Sequence, residues 1–140
     1  MKTATRMFAL TLTLLPMLAV AQLKSNEKLV AHVPFQFKAG DKAIPAGNCI
    51  VESSAQGRGP LMIFNVAARK STMVSAIPEG PAEDNVAYSL VFHKYGDRYF
   101  LTGIRQGDKM IEQLYETGQE AELRAQSSPM TEEVLLASRR

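Results

Sequence analysis

Three copies of one short device limit what this chain can fold into. Gly-Asp occurs at Gly40-Asp41, Gly96-Asp97 and Gly107-Asp108, each time between two extended-looking runs, in "AGDK", "YGDR" and "QGDK". Glycine adopts positive φ at no steric cost, which suits the first position of a two-residue hairpin loop whose twist matches its flanking strands. Three such loops predict a meander of antiparallel strands. "PAGN", Pro45 to Asn48, adds a fourth reversal.

Between these marks the runs have strand character, rich in β-branched and aromatic residues with period-two alternation. "VAHVPFQFK" sets Val33, Phe35 and Phe37 on one face, and Pro34 removes a ladder donor, so this run belongs at an edge or a bulge. "NCIVES", "LMIFNV" and "STMVSAI" follow, the second preceded by the turn "QGRGP", and "IPEGPAEDN" is expected to be the longest exposed loop. The strongest strands are Val86 to Tyr95, Arg98 to Gln106 and Lys109 to Tyr115. If both of their Gly-Asp loops have two residues, Tyr95 faces Arg98, His93 faces Phe100, and Phe92 faces Leu101. Across the second loop Leu101 would face Leu114, Phe100 would face Tyr115, and Ile104 would face Ile111. One surface then carries Phe92, Leu101 and Leu114, flanked by Leu90 and Met110; the other carries His93, Phe100 and Tyr115, with Ile104 and Ile111 further along. Both surfaces are apolar enough to need cover.

The tail changes character. Thr117 stands three residues before Glu120, a capping-box spacing ahead of good helix formers, and a second helix is predicted after it, with Ser128 as cap, Pro129 at its first position and Arg139-Arg140 at its end. The expected fold is a single all-β domain, a small antiparallel sandwich or partly open barrel of about seven strands over residues 22–116, finished by helical C-terminal segments over 117–140.

Residues 1–21, "MKTATRMFALTLTLLPMLAVA", read as a cleavable export signal: Lys2 and Arg6, an apolar run, then the small residues Ala19-Val20-Ala21. The apolar run of about a dozen residues is short of the ~20 that a spanning helix needs, so no transmembrane anchor is expected after cleavage. The chain has 16 basic and 14 acidic residues, and both charged residues of the leader are basic, so the mature chain carries 14 of each. A neutral domain with interspersed signs makes no electrostatic case for nucleic acid. The single cysteine, Cys49, cannot form an internal disulfide, and its place in "GNCIVES" suits a small buried strand residue.

"VPFQFKAGDKAIPAGNCIVES", followed some forty residues later by "LVFHKYGDRYFLTGI", resembles a group of small exported proteins of unknown function common in acidobacteria and related soil bacteria. The likeness covers Val33 to Ile104, and the hairpin is its most specific part. Cys49 stands where that group has an aromatic residue, and the tail lacks its helix. The resemblance implies an exported, β-rich domain and supplies no catalytic residues.

Nucleophilic hydrolysis requires a nucleophile, a base and an orienting group in reach of one another. The chain has two histidines, His32 and His93, and no G-x-S-x-G motif. His32, Cys49 and His93 are scattered singles without metal-ligand spacing, and no cofactor or metal site is expected. The reading drawn from the residues is therefore an exported, non-enzymatic binding or interaction module of the periplasm or cell envelope. Its partner would be a small ligand, a glycan or an envelope protein, with His93, Phe100 and Tyr115 as an aromatic row and Tyr95 and Arg98 as its rim. The row has a second reading as a cross-strand ladder packed beneath the tail. One alternative is a small hydrolase or metal-dependent enzyme using His93 with Cys49 or Glu112. Another is a structural envelope component that assembles through a sheet edge.

Overall fold

The computed structural model describes residues 28–53 and 59–140. The expected export signal with its expected cleavage site, and part of the "QGRGP" turn, lie outside the described residues. Eleven strands and one helix follow in the order β1 (Lys28–Val33), β2 (Phe37–Ala39), β3 (Lys42–Ile44), β4 (Gly47–Ser53), β5 (Leu61–Asn65), β6 (Lys70–Val74), β7 (Ala76–Pro78), β8 (Tyr88–Tyr95), β9 (Arg98–Gln106), β10 (Lys109–Leu114), α1 (Gly118–Ala125) and β11 (Met130–Arg139). The fold is all-β, a nearly closed barrel with a short helix near the C-terminus.

Near-closure follows from the pairing. Neighbours run β9-β8-β11-β1-β4-β5-β6, and β10 pairs with both β9 and β7. Because β6 passes through Ser75 into β7, the circuit returns to β9, which removes most free strand edges. The three Gly-Asp loops are two-residue hairpins as expected, pairing Ala39 with Lys42, Tyr95 with Arg98 and Gln106 with Lys109. Their glycines have φ of 59°, 59° and 55°. The strand count exceeds seven partly because Pro34 ends β1, and the chain turns to form the separate β2–β3 hairpin. There β2 joins β9 in parallel, with Lys38 opposite Phe100.

The interior is apolar: Val33, Val51, Leu61, Ile63, Leu90 and Phe92 are all essentially inaccessible. Cys49 is among them, and burial pushes its thiol pKa up to about 11. Asn65 is the one polar side chain fully buried among them; its amide donates to the carbonyls of Pro45 and Ala46 at 2.8 and 3.3 Å and its oxygen accepts from Ala68 N–H at 2.8 Å. This fastens the "PAGN" reversal to the β5–β6 turn.

Two bulges correct the expected register. His93 faces Phe100 and Phe92 faces Leu101, but beyond them Val91 faces Gly103, so the strand gains a residue and Ile104 turns into the core. A second irregularity between Met110 and Glu112 sets Ile104 against Glu112 instead of Ile111, and Ile111 also enters the core. Leu101 with Leu114 and Phe100 with Tyr115 therefore do not pair. Gly103 lies beside the first bulge, and the reason is close approach: a Cβ there would lie 2.6 Å from the Glu112 carbonyl oxygen and 2.6 Å from Met110 Sδ. Met110, expected beside Leu101, occupies that space instead. Gly103→Val is accordingly expected to cost about 2 kcal/mol or more, read as a lower denaturation midpoint with an unchanged slope.

The second predicted helix is instead strand β11. Helix α1 ends in a Schellman arrangement, in which Ser127, at φ 56°, donates to Arg124 O at 3.0 Å and Ser128 N–H donates to Leu123 O at 3.1 Å. That turn delivers Met130 to Ala137 into antiparallel register with Tyr95 to Tyr88, and Ser138 and Arg139 to Val30 and Leu29. Cap-like residues at Ser128 and Pro129 describe only local preference. The edge of β8 offers an eight-residue ladder of backbone hydrogen bonds, continued by two pairs with β1, which outweighs it.

Candidate functional site

The β8–β9 hairpin presents two faces. Inside the barrel, Phe92 meets Phe35 and Phe37 edge-on, with ring centroids 5.1 and 5.2 Å away, and Phe35 stacks on Tyr99 at 3.7 Å. These rings fill one end of the barrel, and the Lys94 ammonium sits 5.3 Å from the Tyr99 ring centre.

On the outer face, His93, Tyr95 and Phe100 gather beneath the first turn of α1. Thr117 caps that helix by accepting from Glu120 N–H at 3.2 Å, as the capping-box spacing predicts. The Glu120 carboxylate is buried; His93 Nδ1 lies 2.6 Å from it, and the Tyr95 hydroxyl donates to it at 3.2 Å. Burial, reinforced by the adjoining Glu120 charge, holds the Tyr95 phenol above its ordinary range. Loss of this acceptor strands a buried hydroxyl and loosens the helix. Glu120→Ala is expected to cost ~1–3 kcal/mol and to raise hydrogen exchange across α1, whereas Glu120→Gln, which keeps an acceptor, costs less.

The expected aromatic row is thus only partly assembled. Phe100 is 2% exposed and Tyr95 5%, so they pack under α1, while Tyr115 is 62% exposed beyond the end of β10. Lys38 of β2, and not Tyr115, stands opposite Phe100 on that edge. The Tyr95 ring packs edge-on to Phe100 at 5.9 Å. His93 is partly exposed and Arg98 exposed at the hairpin loop. Neither proposed partner of His93 joins it: Cys49 lies in the barrel interior, and Glu112, on β10, accepts from Ser53 Oγ at 3.3 Å. Among the described residues no group of three His, Cys, Asp or Glu side chains could hold a metal ion.

Beside this cluster lies an open cleft of about 380 Å³, bounded by Gln36, Phe37 and Lys38 on one side, Asp97 to Phe100 on another, and Gln119 of α1. Phe100, buried on the outer face, and Phe37, whose ring turns into the barrel interior, are both among its lining residues. The Lys38 ammonium donates to the Gln119 side-chain oxygen, tying β2 to α1 across the cleft. The chain matches no family model, no curated protein and no solved structure. Of the cleft residues, Arg98 and Phe100 were legible from the hairpin sequence. Gln36, Lys38 and Gln119 were not, because only the parallel joining of β2 to β9 and the docking of α1 bring them there.

Proposed function

We propose that this protein is an exported binding module of the periplasm or cell envelope that takes a small ligand in the cleft between β2, the β8–β9 loop and α1. The observation that carries the reading is the cleft itself: a concavity in which polar groups from three elements converge around buried Phe100, of a volume within the ~300–1,000 Å³ common for small-molecule sites. Its walls come from three elements that buried contacts hold in place, so the site is formed before ligand arrives, which lowers the ordering cost of binding. Export rests on the leader, and the short length of that apolar run speaks against a spanning anchor. Among the described residues no helix is long and apolar enough to cross a membrane. The near-closed strand circuit favours ligand binding over assembly through a sheet edge.

A fragment library followed by backbone-amide NMR tests the reading. Shifts are expected to concentrate at Lys38, Arg98, Tyr99 and Gln119, and to weaken at least tenfold in concentration dependence on replacing Lys38 and Arg98 together by alanine. Hits confined to other surfaces, or none at all, overturn it.

A further inference from the structure

Resting on the binding reading above, we infer that the ligand is a hydroxylated carboxylate of the size of an acidic sugar residue, with Lys38 and Arg98 as its carboxylate clamp. Charge is the first ground. Some surface cations are matched to acids, as in Lys109 with Glu83 at 2.6 Å, Arg105 with Glu132 at 2.9 Å and Arg124 with Glu116 at 3.0 Å. Lys38 and Arg98 line one cleft, and among the described residues neither forms an ion pair with a carboxylate. Asp97 is the single acid of the lining, so the cleft carries a net positive charge.

Donor geometry is the second ground. Lys38 gives one of its three N–H donors to the neutral Gln119 amide and keeps its full charge. Arg98 offers a planar fork that matches a carboxylate's two oxygens. The side-chain amides of Gln36 and Gln119 each present donor and acceptor groups, the complement of a hydroxyl, which both donates and accepts. Phe37 and Phe100 are too deeply buried to stack on a ring, so recognition falls to the polar walls.

The test is titration of the purified protein with glucuronate, galacturonate, glucose and inorganic phosphate, by calorimetry and by the same backbone-amide shifts. Expected is binding of a uronate at least tenfold tighter than glucose and than phosphate, with the advantage over glucose removed in Arg98→Gln and in Lys38→Gln. Both positions are on the cleft wall, and a thermal transition unchanged in each variant shows that the fold is intact. Equal affinity for glucose and glucuronate overturns the carboxylate clamp while leaving the binding reading standing. Phosphate binding as tight as a uronate overturns the hydroxyl part and leaves a bare anion site. If no sugar binds but fragments still shift the cleft amides, this inference alone falls. If nothing shifts them, both readings fall together.

Discussion

Removing residues 129–140 is expected to abolish cooperative folding. β11 pairs with β8 along Tyr88 to Tyr95 and with β1 at Leu29 and Val30, so its loss opens the strand circuit between the two. β8 is the most buried strand of the barrel, with Leu90, Val91 and Phe92 all at 0% exposure. Without β11, eight residues of its backbone face water or a partner chain, and Leu135 and Ala137 no longer cover the core. Unpaired apolar edges of that length promote association. The measurement is thermal unfolding by circular dichroism: a truncated chain without a cooperative transition is the expected result. A melting temperature within a few degrees of the intact protein would show the tail to be an appendage, as its helix-like sequence suggests.

Phe92→Ala carries the largest expected effect of any point substitution. The ring is fully buried and meets Phe35 and Phe37 edge-on, and Phe35 in turn stacks on Tyr99. Truncating it loses its transfer free energy and leaves a cavity that a closed barrel cannot collapse into, so the cost is expected at ~3–5 kcal/mol. The cost is read from the denaturation midpoint at constant slope. Phe100→Ala, on the outer face, is expected to cost less, because the eight-residue helix above it is free to settle toward the gap. A larger loss at Phe100 than at Phe92 would mean that the domain is organised around the helix instead of the barrel interior.

These two positions also show how far the hairpin could be read in advance. The pairings Tyr95 with Arg98, His93 with Phe100 and Phe92 with Leu101 follow from one Gly-Asp loop and the alternation of side chains, and all three form. The reading fails one residue beyond Leu101, where Thr102 is the added residue of a bulge and its hydroxyl donates to the Val91 carbonyl at 3.1 Å. Nothing in "FLTGI" separates an ordinary strand glycine from one that a neighbouring carbonyl and sulfur require to be bare. Glu120 is a similar case: its spacing from Thr117 identified the helix start, but its carboxylate turns to His93 and Tyr95.

By itself the sequence determined the local turns and the alternation, because glycine's freedom at positive φ and the two-residue period of a strand act within a few residues. It therefore specified an antiparallel all-β domain, a buried Cys49 and the start of α1. Tertiary structure decided which strand fills which slot. The slot between β8 and β1 drew residues 130–139 into a strand against their local preference, since satisfying the long row of backbone donors and acceptors on β8, with a short continuation onto β1, outweighs the few tenths to about 1 kcal/mol per residue that propensity commands. The cleft belongs to the same level: Lys38, Arg98 and Gln119 are far apart in the chain, and they meet only because β2 joins β9 and a buried carboxylate holds α1 on the barrel wall.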